Sequence, residues 1–194
     1  MLEQRVAKFS SQVGLRYASF ETRLVALVLD LIVLFSVLAL FFAVAFLQVL
    51  LRSDFGDVDP PDAAYDLAAI ILMAYLIFVP AYFLVLWARQ GQTVGQMAMA
   101  IKVVRRDGHP MGLARAVVRL GGLNLLPAIF VVSLVTLLAT GTSEDVLVAL
   151  IGVLGFAALA LVAIQVLGFL MIPFDRERRA LHDRLADTLV VEPR

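Results

Sequence analysis

From Leu24 to Leu51 the chain runs 28 residues with a single charge, Asp30, inside it. A helix rises about 1.5 Å per residue, so the run exceeds the roughly 30 Å of a bilayer's hydrocarbon. Ser36 and Gln48 are its other polar members, and Arg23 stands immediately before it. A carboxylate at the centre of such a helix costs about 2.5–3.5 kcal/mol on insertion scales. Asp30 must therefore face protein or water and find a partner. The composition agrees with a lipid-facing surface. It is 62% hydrophobic and 16% charged, against about 45–50% and 25% in soluble domains.

Three further uncharged stretches follow: 67–88 with Pro80 inside, 120–140 with Asn124 and Pro127, and 146–174 with Gln165. Each is long enough to cross a bilayer. The predicted fold is an all-α membrane protein with four transmembrane helices, at about 24–51, 67–88, 120–140 and 146–174. Residues 1–22 form a basic cytoplasmic or interfacial segment, and 23–191 form the membrane domain. The first apolar run is far longer than the 7–15 residue core of a signal peptide, and no A-x-A-like site closes it.

Basic residues give the orientation. Residues 1–23 hold four Lys or Arg, 89–119 hold six and 173–194 hold five, while the loop after the first span holds only Arg52. The positive-inside rule then places both termini and the central loop in the cytoplasm. The loop Ser53–Asp66 carries five aspartates. It lacks the ligand alternation, central glycine and terminal glutamate of an EF-hand, so it reads as a solvated loop.

The cytoplasmic pieces have structure of their own. Thr93 is a plausible helix cap before Val94-Gly95-Gln96. Ile101-Lys102-Val103-Val104 and Thr188-Leu189-Val190-Val191 read as short β-like pieces on the same side of the membrane. Arg115 and Arg119 lie one turn apart on a helix that leads into the third stretch.

Three blocks occur in order: Ser19-Phe20-Glu21-Thr22-Arg23 leading to Leu29-Asp30, Gly91-Gln92-Thr93-Val94-Gly95-Gln96 leading to Ile101-Lys102-Val103-Val104, and Leu181-His182-Asp183-Arg184-Leu185-Ala186 leading to Thr188-Leu189-Val190-Val191. With this arrangement the chain resembles the RDD family of bacterial membrane proteins over roughly residues 17–191. The family is named for one arginine and two aspartates, so the resemblance implies Arg23, Asp30 and Asp183 as signature residues. Gln96 stands where a lysine is common, and Asp187 where a glycine is common. The resemblance also implies a multi-pass protein of the inner membrane with a suggested part in transport, sodium–proton exchange among the suggestions.

Arg23 and Asp30 are seven residues apart, so on a helix they point nearly the same way but about 10 Å apart along the axis. A third group is expected to bridge them. The predicted polar cluster is Arg23, Asp30, Arg119 and Asp183 at the cytoplasmic side, supported by Arg115 and His182. Such a set has two readings. In one, Asp30 is a buried ionisable site for transport of a cation or small solute. In the other, the cluster pins loop and tail to the helices of a non-catalytic accessory or scaffold subunit in a larger membrane complex.

Enzymatic chemistry is not expected. There are two histidines and no cysteines, which leaves no thiolate nucleophile and no Cys-ligated metal. Metalloprotease, nucleophile-elbow and phosphate-loop spacings do not occur. No cofactor or metal is called for. The net charge of zero gives no overall field for nucleic acid. The expected partners are the lipid bilayer and a further copy or a membrane protein complex.

Overall fold

The computed structural model describes residues 16–123, 155, 159, 163–164 and 166–193. Most of the third and fourth apolar stretches, with Asn124, Pro127 and Gln165, lies outside these residues. The first two stretches form long helices. Helix α1 spans Phe20–Arg52 and α2 spans Asp62–Gln90. Both are longer than their uncharged cores, because capping rather than hydropathy decides where a helix begins. Ser19 accepts from the Thr22 N–H and starts α1, and Gly91, in the left-handed conformation that glycine adopts without a Cβ penalty, ends α2.

The two helices are antiparallel neighbours, joined by residues 53–61 with a short 3-10 turn at Asp54–Gly56. Close approach is permitted by the buried Ala26, Ala45 and Ala64. Gln48 donates to the Ala64 carbonyl at 2.6 Å and Tyr75 to the Leu34 carbonyl at 3.1 Å. Their outer faces carry Ile32, Phe35, Leu40, Phe42, Ile70 and Ile77, all exposed. A core helix of a soluble domain would have buried such residues. Each helix is long and apolar enough to cross a membrane.

Beyond α2 the chain forms the short helix α3, Val94–Ala98, then strand β2, Lys102–Arg105, then helix α4, Gly112–Leu123. The tail adds helix α5, Leu181–Leu185, and strand β3, Thr188–Glu192. The two β-like pieces pair antiparallel, Val103 opposite Val190. The sequence reading did not anticipate a third strand, β1 at Arg16–Tyr17, which pairs with the other side of β3. The sheet order is β1-β3-β2. Strand β3 is thus central, and its residues Thr188 to Val191 are buried. The tail closes this layer by joining the start of α1 to the central loop.

Helix α3 lies directly on α1. A Cβ on Gly95 would sit 2.0 Å from the Ala26 carbonyl oxygen and 2.9 Å from the Asp30 carboxyl carbon, so only glycine fits. Gly95→Ala should force α3 off α1 and destabilise the protein by about 1–3 kcal/mol, the usual cost of overpacking. Thermal melting in neutral detergent checks this; an unchanged midpoint would mean that α3 does not depend on this contact.

Candidate functional site

Asp30 is 4% exposed and sits on the face of α1 turned toward α2 and α3. Its Oδ1 accepts from the Tyr82 hydroxyl at 2.6 Å and the Gly95 N–H at 2.7 Å, and its Oδ2 from the Thr93 hydroxyl at 2.6 Å. No ion pair involves it among the described residues. Hydrogen-bond donors take the place of a counter-ion, which is how a buried carboxylate is made tolerable.

The same contacts complete the start of α3. A helix leaves its first four N–H groups without intrahelical partners. Here Thr93 N–H donates to Gln96 Oε1, Val94 N–H to the Tyr82 hydroxyl, Gly95 N–H to Asp30, and Gln96 N–H to the Thr93 hydroxyl. All four are satisfied, two by the capping box of Thr93 and Gln96 and two by side chains of the long helices. Gln96 Oε1 also accepts from the Trp87 indole at 3.1 Å. A lysine at position 96 could accept neither bond.

A second centre forms around Asp183, which is fully buried. Its Oδ2 accepts from Arg23 Nη1 at 2.6 Å and from the Ala180 N–H at 3.0 Å, the latter fixing the start of α5. Arg119 Nη1 lies 2.5 Å from Oδ1 and donates to the Thr188 hydroxyl at 3.0 Å. One carboxylate from the tail therefore joins the start of α1 to α4. Burial alone would raise the Asp183 pKa, but Arg119, His182, Arg23 and the Ala180 N–H outweigh it and hold the carboxyl well below the usual range.

The predicted cluster is thus two centres rather than one. Arg23, Arg119 and Asp183 come together. Asp30 is held separately, and no described group bridges it to Arg23. The spacing of about two helical turns gives each residue a different set of neighbours. Arg119 stacks over Trp87, 4.9 Å from the ring centroid, so Trp87 touches both centres through Arg119 and Gln96. Arg115, expected to support the cluster, lies instead at the surface, 3.9 Å from Asp187. His182 is buried beside Asp183.

Sequence reasoning did not single out Tyr82, Thr188 or Trp87 as partners, nor assign Thr93 and Gly95 to Asp30. Thr93 and Gly95 lie inside the Gly91–Gln96 block, which was the available signal. Tyr82 carried none beyond being a hydroxyl in an apolar helix. Asp187 has φ +51°, the left-handed region that explains a glycine preference there; aspartate tolerates it better than most residues.

The match of the RDD family model covers residues 17–187, which includes Arg23, Asp30, Arg119 and Asp183. The chain belongs to the RDD family. Comparison with curated proteins and with solved structures finds no match. Family membership and two exposed apolar helices of spanning length make this RDD protein a membrane protein. Of the implied signature residues, Arg23 and Asp183 form a direct ion pair, while Asp30 anchors the central loop. Asp30 also has room to avoid lipid. Residues 31–51 beyond it rise about 31 Å, still enough to span the hydrocarbon.

His182 supplies a measurable signature. Burial, then the positive fields of Arg119 and Arg23, outweigh Asp183 and push its pKa down from 6.5 to about 4. Between these values the unfolded chain takes up a proton that the folded chain refuses. Stability should then fall as pH drops from about 6.5 toward 4, by about 3 kcal/mol at about 1.36 kcal/mol per pKa unit. The melting midpoint in detergent is expected to drop between pH 7 and pH 5, and to drop less in His182→Gln. Equal drops would remove His182 as the cause.

Proposed function

We propose that this RDD protein is a non-catalytic accessory or scaffold subunit of a larger membrane complex, in which buried carboxylates lock a cytoplasmic platform onto the membrane helices. The observation that supports this reading best is the state of Asp30. Both of its oxygens are engaged, by three donors from α2 and the central loop. Moving a proton or cation through that carboxylate would require breaking the bonds that start α3. The proposed setting is a bacterial inner membrane, with four spans and with both termini and residues 89–119 in the cytoplasm, as the distribution of basic residues favours.

A second reading, transport of a cation or small solute, draws on a different observation. A cavity of about 290 Å³ is lined by Arg23, Asp30, Phe83, Trp87, Arg119 and His182. Beside it, Arg23 Nε and Nη2 and Arg119 Nε are buried without hydrogen-bond partners among the described residues. Such donors are unusual in folded proteins and are often served by water or a ligand.

Purified protein in vesicles with a pH-sensitive dye separates the two readings. Under the scaffold reading, sodium or potassium gradients drive no more proton flux than in protein-free vesicles, and a stoichiometric partner survives gentle detergent extraction. Cation-dependent flux that disappears in Asp30→Asn would favour transport instead.

Orientation has its own test, made clean by the absence of native cysteines. A cysteine at Asp57 should react with an impermeant maleimide added to intact spheroplasts. One at His109, at the other end of the helices, should react only after lysis. The reverse pattern would overturn the proposed orientation.

A further inference from the structure

The cytoplasmic layer divides its arginines into two classes. Arg106 and Arg179 pair with Glu177, and Arg179 and Arg184 pair with Asp175. Arg16, Arg176 and Arg178 form no ion pair within 4.0 Å among the described residues, yet all three border one open recess of about 470 Å³ with Tyr17, Ser19 and Glu192. The nearest charge relief is small. Glu192 lines the recess, and Arg178 lies within electrostatic reach of Glu21. Arg178 also makes a long 3.5 Å bond to the Tyr17 carbonyl. Three guanidinium groups and one carboxylate thus line the recess. The charges that act on Tyr17 from outside it (Glu177, Asp175, Arg106 and Arg179) are two of each sign. With Glu21 counted as well, the recess keeps a positive excess.

Its position defines what it meets. Ser19 caps α1, the first membrane-length helix, so the recess stands at the end of that helix. The next residue, Phe20, packs on Phe169 at 5.1 Å between ring centroids, which ties the start of α1 to the helical residues 166–170. Immediately before Arg176 come Leu170, Met171 and Phe174, all exposed, Phe174 at 90%. Apolar side chains open to the surroundings therefore give way to unpaired arginines within a few residues. That sequence of environments is the one a lipid presents, acyl chain first and headgroup above it.

We propose that the recess bounded by Arg16, Arg176 and Arg178 binds the phosphate headgroup of an anionic membrane lipid. Guanidinium groups suit this task because their planar N–H forks match phosphate oxygens in pairs. The excess positive charge selects a lipid with net negative charge over a zwitterionic one. The exposed Phe174 and Met171 give its acyl chains an apolar surface. This assignment is independent of whether the protein transports a solute or serves as a scaffold.

Native mass spectrometry of the full chain in neutral detergent tests it, with phosphatidylglycerol or phosphatidylcholine added in turn. The chain should retain one phosphatidylglycerol at concentrations where phosphatidylcholine is lost. The triple variant Arg16→Gln, Arg176→Gln, Arg178→Gln should weaken that retention at least about tenfold, given that each phosphate contact adds to affinity. Arg105→Gln with Arg115→Gln, elsewhere in the cytoplasmic layer, should leave it unchanged. Unaltered emission of Trp87, the sole tryptophan and a buried one, certifies that the triple variant is folded. Equal retention of the two lipids, or equal retention by the triple variant, would overturn the proposal. So would full displacement by an equal concentration of inorganic phosphate, which would make the recess a site for free anions.

Discussion

The layer of loop, tail and helix starts in this protein is organised by the cost of burying a carboxylate. An isolated ionised group taken out of water is strongly unfavourable unless hydrogen bonds or opposite charges replace its hydration. Asp30 and Asp183 meet that demand in different ways. Asp30 uses neutral donors, two hydroxyls and a backbone N–H. Asp183 uses two guanidinium groups and a backbone N–H. In each case most partners come from elements far apart in the chain, Ala180 N–H being the local exception at Asp183, so satisfying the carboxylate fixes tertiary structure.

The two solutions assemble different parts. Asp30 completes the start of α3 and holds the central loop against α1 and α2. Asp183 completes the start of α5 and holds the tail against α1 and α4. Trp87 connects them, giving its indole N–H to Gln96 and its ring face to Arg119. The central strand β3 then pairs with both β1 and β2, so loop, tail and the entry to the first helix behave as one layer. Arg23 and Arg119 lie buried at the centre of this layer, while Arg16, Arg176 and Arg178 lie exposed at its rim.

Particular residues mark how much of this was legible in the sequence. The two long helices followed from uncharged length, and the pairing of β2 with β3 was suggested by two β-prone pieces on one side of the membrane. Asp30 stood out because a charge inside an apolar run needs a reason, whereas Asp183, in a charged tail, was marked by the resemblance to the RDD family. Their partners did not stand out. Tyr82 is one aromatic among many, and Thr188 is one hydroxyl in a β-like run. β1 went unread because two residues carry no periodicity. The separation of Asp30 from Arg23 was foreshadowed by helical rise, although a bridging group was expected where none is found among the described residues.

By itself the sequence determined the membrane class, the family blocks and the presence of buried charge, because hydropathy and residue spacing act locally along the chain. Which arginine meets which aspartate was decided only in three dimensions. Arg115 and Arg119 are equivalent by spacing, one helical turn apart. Only the packing of α4 against Trp87 and β3 puts Arg119 beside Asp183 and leaves Arg115 at the surface. Hydrogen bonds and ion pairs act over about 3 Å, a distance that a linear order of residues does not specify.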